Sequence, residues 1–544
     1  MTEQRKSRLT LAALFVLLLM LAAFRPLAVP DEGRYGEIGR WMLVSGDWLT
    51  PRLNGIPFFH KPPYLYWLEA LSLATFGVHS WALRLVPALH AGLMLLALYL
   101  GARQFATETI ARRAVWMLGT SLSFLIGGQY VNHDMLVAAW IGVAIWCFAL
   151  AFMHGDKPHA ALARWGFVAC AFGVLSKGLI GVALPGLVLL IWLLWTRQFK
   201  KIFYLPWISG LLLFGLIAAP WFWLAGQKFP GMLDYMFGTQ QVARFSATTF
   251  NNAQPWWFYG LALLVLLFPW VIFAINQAVA QARRAQTATK SIADARPGAG
   301  TALGWIWLLA IIGFFSIPHS KIIGYALPVM PPLALLAALG WDDAMARLKL
   351  GAPAQARWFA ALCVVSIGIA IGANLAAAEY TKKYATQDIA QALEAAGAQP
   401  SDTVYLLNDF AYDLPFYRRA STHMVVLQDW PALRQFPGDD WQHEMLEGAD
   451  FEPPAAGVLQ TPRLLALDLT QRGERGVWVL ARHKVELGGF VRVFVGRAWS
   501  LYKPLDQGTE SAPESPEAAE EISLGSGAQQ GQQQGQQRGP AGAA

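Results

Sequence analysis

Charge is what this sequence has little of. Of its 544 residues only 14% are Asp, Glu, Lys or Arg, against about 25% in an ordinary soluble protein. Cysteine is scarce too: Cys147, Cys170 and Cys363 all sit inside apolar runs. Their spacing excludes a disulfide framework or a thiolate metal site and leaves them as small packing residues. No repeat of about 20–50 residues is visible, which excludes a solenoid. The net charge of +7 calls for no nucleic acid, because basic cytoplasmic loops account for it.

Apolar residues are what is abundant, at 55%, together with 24 Trp. Tryptophan collects where rings sit at bilayer interfaces. Many runs approach the ~20 residues needed to cross hydrocarbon. The sequence therefore predicts a polytopic α-helical membrane protein of about eleven spans, thirteen at the upper end. The spans fall at roughly 9–29, 81–101, 114–131, 135–153, 165–176, 179–195, 203–226, 257–279, 302–317, 322–340 and 359–378. Arg5, Lys6 and Arg8 place the N-terminus inside, and alternation then puts the Lys- and Arg-rich loops at 102–113, 154–164, 196–202, 280–301 and 341–358 inside as well. The first run also fits a signal peptide, but cleavage would remove the anchor of the acidic motif behind it.

The expected domains are a transmembrane part, 1–379, with large outer loops at 30–80 and 227–256, then a periplasmic α/β domain, 380–504, and a tail, 505–544. The middle segment carries strand-like runs (TVYLLND, HMVVLQ, RLLALDL, GVWVLAR, VRVFVG) and helical stretches at 386–397 and 412–419. The tail ends GAQQGQQQGQQRGPAGAA and cannot bury a core.

One group of polar residues fits neither cytoplasmic anchoring nor ordinary loops: Asp31, Glu32, Arg34, Tyr35, His60, Lys61, His133, Asp134, Lys177, Arg244, His319, Lys321 and Tyr325. All fall at outer span ends or in outer loops, so they are expected to gather at the periplasmic rim. Ionisable groups near hydrocarbon are costly and need partners or a function. Asp31 after Pro30 suits a helix N-cap, with Arg34, Tyr35 and Ile38 on one face. Gly33, Gly36 and Gly39 form a strip that invites close approach, offsetting about 1 kcal/mol per glycine in a helix. Asn54-Gly55 signals a turn, and Pro62-Pro63 extends the chain after Lys61. Taken singly these residues have plainer readings. Asp134 caps a span, Arg34 snorkels, and Lys61, Lys177 and Lys321 anchor at the interface, although outer lysines run against the positive-inside trend.

The motifs DEGRYGEIGRWMLVSGDWLTPRLNGIPFFHKPPYLYWL, HDML, LSKGLIGVALP, ARF with PWWFY, FFSIPHSKIIGYALPVMPPLALL and DLPFYRR resemble the membrane-embedded glycosyltransferases that use polyprenyl-phosphate sugars. This is the GT-C superfamily of the protein O-mannosyltransferases, and the likeness points to the bacterial transferases that add aminoarabinose to lipid A. It runs in order from about residue 30 to 420. It implies a GT-C-like fold and sugar transfer from undecaprenyl phosphate to lipid A at the outer face of the inner membrane. Protein or another glycan is the alternative acceptor. A lipid-linked-sugar transporter or flippase and an inactive paralogue are the readings of another class. A transporter would show midplane sites on broken helices and internal repeats, which the sequence lacks.

By the resemblance, Asp31 and Asp134 lie near sugar and acceptor. Arg34, Lys61, Arg244 and Lys321, with Lys177, Tyr325, Tyr35 and Glu32, hold the donor and its phosphate. Phosphate is already a good leaving group, so transfer needs cations where negative charge grows rather than a general acid. Asp31, Asp134 and Lys61 are the catalytic candidates. A hydroxyl acceptor would make Asp31 a base; a lipid A phosphate would need none. The family also implies a divalent-ion site. His60 and Gln241 stand where it has Glu and His, and an amide is a poor transition-metal ligand. His60 is thus the one metal-ligand candidate, and no cofactor is assigned. Expected partners are the lipid-linked donor, lipid A or another periplasmic acceptor, and membrane lipids; the chain is expected to act as a monomer.

Overall fold

The structure, a computed structural model, describes residues 3–243, 252–287, 298–436, 438–463, 465, 476–482 and 485–505. Arg244 and residues 506–544 of the expected tail lie outside them. The chain forms two compact units. One comprises Met1–Leu27, Ile38–Pro51 and Phe58–Thr381; the other comprises Ala28–Glu37, Arg52–Pro57 and Lys382–Ala544.

In chain order the first part contains α1 (Glu3–Ala22), α2 (Asp31–Ser45), the hairpin β1 (Arg52–Leu53) and β2 (Ile56–Pro57), α3 (Tyr64–Phe76) and α4 (Ser80–Phe105). Then come α5 (Glu108–Gly119), α6 (Leu122–Gly127), α7 (His133–Phe152), α8 (Ala160–Lys177), α9 (Ile180–Trp195) and α10 (Trp207–Lys228). A π-helix at Asp234–Ala243 is followed by α11 (Phe258–Leu266), α12 (Val271–Thr287) and α13 (Ala299–Ser316). A 3-10 turn, Ile323–Val329, leads into α14 (Met330–Leu348), and α15 (Ala352–Lys382) closes the set.

Each expected span meets a helix or a broken pair. Among the described residues seven helices are long and apolar enough to cross a bilayer, and the pair α11–α12, bent by 117°, makes eight. The bend falls at Pro269, which has no N–H to continue the ladder. The remaining expected spans show why a hydropathy window counts more. The run 114–131 breaks between α5 and α6, where Ser121 caps the second helix. The helix α9 has only 16 residues, and α1 begins among Arg5, Lys6 and Arg8. The short fifth span extends to 18 residues as α8. The core is continuous through α4, α7, α13 and α14, around Trp192, Trp270, Trp307 and Trp341, all nearly inaccessible.

The second unit is built on a six-stranded sheet. After α15 come β3 (Thr403–Leu407), β4 (Val425–Leu427), β5 (Leu459–Gln460), β6 (Val477–Ala481), β7 (Phe490–Val495) and β8 (Ser500–Pro504), in the order β5-β4-β3-β6-β8-β7. β5, β4, β3 and β6 run parallel; β8 is antiparallel to β6 and to β7. This mixed sheet matches an α/β domain. Helices at Gln387–Ala395 and Leu414–Arg418 lie where the pattern put them. Helix Trp441–Phe451 and the strands β5 and β8 were not foreseen, and most of RLLALDL falls outside the described residues. Asn54 and Gly55, both at positive φ (52° and 84°), close the two-residue turn between β1 and β2, as the pair Asn-Gly favours.

Candidate active site

In the membrane unit the site begins at the N-terminus of α7. Asn132 is the cap: its Oδ1 accepts the Asp134 N–H at 2.9 Å, and its Nδ2 donates to Asp134 Oδ2 at 3.0 Å. Asp134 is therefore not spent on capping the helix, as the plainer reading had it. Its other oxygen takes an ion pair from Lys177 Nζ, at the last residue of α8. Both side chains are only 10% exposed. Lys177 Nζ also lies 4.7 Å from the centre of the Tyr325 ring, which is stacked on Phe315 at 4.6 Å. A Cβ on Gly324 would overlap Asp134 Oδ2, so glycine lets the Tyr325 turn approach the carboxylate. Three distant stretches, HDML, LSKGL and KIIGY, thus meet around one acid–lysine–tyrosine set.

His133 is buried beside it. Its Nδ1–H donates to the Ser176 carbonyl at 2.9 Å, and its Nε2 meets the Tyr66 hydroxyl at 3.2 Å. Lys61 and Lys177 are both near enough to His133 to act on it electrostatically, which brings Lys61 towards the same set. Lys61 is half-buried. Lys321 is placed differently. It is 5% exposed, and its Nζ donates to the carbonyls of Gln254 at 3.0 Å and Pro318 at 2.6 Å. Backbone bonds from Gln254 N to His319 O and from Lys321 N to Asn252 O tie the same two segments together. In this arrangement Lys321 fastens a loop.

His60 Nε2 and the Tyr235 hydroxyl share a hydrogen bond of 2.8 Å, and the His60 ring stacks on Phe58 at 4.6 Å. Gln241 Oε1 accepts the Leu179 N–H at 2.7 Å. Among the described residues no group of three or more His, Cys, Asp or Glu could hold a metal ion. The donor set around His60 thus does not fit the divalent ion that the resemblance implies, and no step is routed through one.

Asp31, Glu32, Arg34 and Tyr35 belong to the second unit. Asp31 opens α2 and is half-buried, as is Tyr35. Glu32 is fully buried and reaches back to the Ala28 N–H at 2.7 Å, closing the turn that starts the helix. Arg34 Nη1 pairs with Glu444 at 2.8 Å; its Nη2 donates to the Tyr412 hydroxyl at 3.2 Å, and the guanidinium stands 4.9 Å from that ring's centre. Burial opposes the guanidinium charge, but Tyr412 and Glu444 outweigh it and hold its pKa above the ordinary value. Next to Tyr412, Asp413 is fully buried. Burial pushes its carboxyl up to about 6 against the pull of Thr386, whose N–H (3.0 Å) and Oγ1 (2.9 Å) it accepts. The glycine strip is explained in part. A Cβ on Gly33 would come within 3.0 Å of Asp413 N, and one on Gly39 within 2.7 Å of Glu69.

Sequence reasoning missed Asn132, Gly324, Tyr235, Glu444 and Tyr412. Asn132 directly before HD, and Gly324 directly before Tyr325, were readable signals; Glu444 lies in no motif.

Comparison with known proteins now places this fold. The chain has the fold of ArnT: it superposes on the crystal structure of ArnT from Cupriavidus metallidurans bound to undecaprenyl phosphate with a TM-score of 0.74, at 22% identity, covering 93% of this chain and 99% of that one. It is a multi-pass membrane protein of that kind. Residues 8–236 match the family described as dolichyl-phosphate-mannose-protein mannosyltransferase. The chain is also similar to two proteins named undecaprenyl phosphate-alpha-4-amino-4-deoxy-L-arabinose arabinosyl transferase. The one from Pseudomonas savastanoi pv. phaseolicola is 32% identical over 62% of this chain and 61% of its own length. The one from Pseudomonas aeruginosa strain PAO1 is 30% identical over 64% and 62%. The chain thus spans about three fifths of the length of the curated relatives it matches. These findings bear out the resemblance carried by the motifs.

Proposed function

We propose that this protein transfers a sugar, of the aminoarabinose type, from undecaprenyl phosphate to lipid A at the periplasmic face of the inner membrane. The N-terminus is then cytoplasmic, and residues 380–504 form a periplasmic domain. The observation that carries the reading is the Asp134–Lys177–Tyr325 set, largely buried where the ends of two apolar helices meet. Such a low-dielectric place makes a lysine effective against a phosphate.

In the transfer, the anomeric C–O bond to the carrier phosphate breaks and its electron pair stays on the phosphate oxygen. A bond then forms from the acceptor oxygen to the anomeric carbon. Lys61 and Lys177 meet the charge that grows on the phosphate. Asp134 orients Lys177 and steadies the positive charge of the oxocarbenium-like sugar. An amino sugar gives the carboxylate a second partner. With a lipid A phosphate as acceptor, already ionised, Asp31 orients rather than abstracts; with a hydroxyl it would be the base. By family analogy the anomeric centre inverts.

Purified protein with radiolabelled undecaprenyl-phosphate aminoarabinose and lipid A tests this. Labelled lipid A, absent in Lys61→Ala, is the expected result. Label on protein or another glycan would move the acceptor assignment. Movement of intact donor across a vesicle membrane without cleavage would replace transfer with transport.

A further inference from the structure

We propose that the π-helix Asp234–Ala243 is a clamp that fixes the Lys61 segment against the Lys177 turn, with Tyr235 and Gln241 as its positioning residues. The inference rests on the reading of these lysines as phosphate-holding groups.

π-Helices are rare and tend to sit at functional places, because their wider turn costs stability. This one reaches two separate chain segments. Near its start, the Tyr235 hydroxyl shares a hydrogen bond of 2.8 Å with Nε2 of His60, the residue directly before Lys61. Gln240, 7% exposed, donates to the same Tyr235 oxygen at 3.0 Å and so helps to hold that hydroxyl in place. The His60 ring is further held by stacking on Phe58. Near its end, Gln241 Oε1 accepts the Leu179 N–H at 2.7 Å, two residues after Lys177, while its Nε2 donates back to the Met236 carbonyl of the same helix at 3.2 Å. The turn it grips is shaped for this. Gly178 has φ +84°, and a Cβ there would overlap the Gln241 amide.

The physical need is plain. Lys61 and Lys177 carry like charges and both act on His133. The pairing of Lys177 with Asp134 offsets part of their repulsion but does not fix the distance between the two segments. Unrestrained, flexible lysine segments would drift apart until a phosphate arrived, and the ligand would bear the cost of drawing them together. A helix bonded to the His60 side chain on one segment and to the Leu179 backbone on the other removes that cost beforehand. Neither Tyr235 nor Gln241 needs to touch the phosphate.

The test uses full-length protein in nanodiscs and undecaprenyl phosphate as the probe. Tyr235→Phe and Gln241→Leu should each weaken binding about 3- to 10-fold, the size of one lost hydrogen bond. The double variant should lose little more than the worse single, since both act through one helix. Gln241→Glu, which keeps an oxygen for the Leu179 N–H, should recover most of the affinity. Independently of any ligand, the Leu179 amide should exchange hydrogen faster in Gln241→Leu and return towards the wild-type rate in Gln241→Glu. If Lys61→Ala abolishes binding while both single variants bind like wild type, the clamp is wrong and the phosphate reading stands. Strictly additive losses, or unchanged exchange at Leu179, would also overturn the clamp. If wild type and Lys61→Ala bind equally, the phosphate reading fails and the clamp falls with it.

Discussion

Two sets of the same ingredients, a carboxylate, a cation and a tyrosine, occur in the two units. In the membrane unit they are Asp134, Lys177 and Tyr325; in the second unit they are Glu444, Arg34 and Tyr412. Exposure hardly separates them, at 10% for both charged side chains in the first set and 13% and 18% in the second. The cation does. The guanidinium of Arg34 is a rigid fork, and one arm is taken by Glu444 and the other by a tyrosine hydroxyl. Both terminal nitrogens are held by the protein itself, which suits a fastening, while Nε is buried with no hydrogen-bond partner among the described residues. The Lys177 ammonium is a compact charge on a flexible stem with three donors. It can exchange one partner for another without breaking a rigid two-point geometry. Residue types alone do not mark an active site; what matters is how rigidly the protein's own partners fix the cation.

The largest expected effect is on chemistry in the membrane unit. Lys61→Ala should lower transfer about 100- to 1,000-fold with unfolding unchanged, the loss typical when one charge-stabilising group is removed. In the second unit the expected loss is of stability. Arg34→Ala should destabilise that unit by about 2 kcal/mol, because it removes the largely buried cation paired with half-buried Glu444, and Arg34→Lys should recover little. Lost transfer at unchanged stability in Arg34→Ala would break the comparison and return Arg34 to the phosphate.

Paired glycine substitutions sharpen the contrast. Gly324→Ala pushes on the Asp134 carboxylate and should cut turnover roughly 10-fold, since small misplacements at a reacting group are costly. Gly33→Ala pushes on the backbone at Asp413 instead and should lower stability by about 1–2 kcal/mol. Activity assays and thermal unfolding of both variants separate the outcomes. The smallest effect is a slope. The Asp413 carboxyl is raised to about 6 in the fold, against 3.8 ordinarily. Between those values the folded state holds more protons than the unfolded chain. Its contribution to stability is therefore full below about pH 4 and is lost as the pH rises through about 6. Thermal unfolding from pH 4 to 7 should show that decline, and Asp413→Asn should flatten it.

The sequence by itself determined the class of the molecule. Apolar runs and the placement of Arg and Lys gave the helices, because a chain in hydrocarbon must satisfy its backbone internally. Alternation and turn chemistry announced β3, β4, β6 and β7 and the Asn54–Gly55 turn, since those signals are local. The motifs named Lys61, Asp134, Lys177 and Tyr325 before their surroundings were known. Only the tertiary structure decided what each charge does. Glu32, Arg34 and Lys321 looked no different from Lys177 in the sequence, yet the fold gives them a backbone N–H, Glu444 with Tyr412, and two carbonyls as partners. It also showed that Ala28–Glu37 and Arg52–Pro57 cluster with the C-terminal unit rather than with the helices on either side. The reason is one of range. Burial pattern and turns are set by neighbours within a few residues, whereas the partner of a charge is chosen by segments tens or hundreds of residues away, and a single sequence carries no mark of that choice.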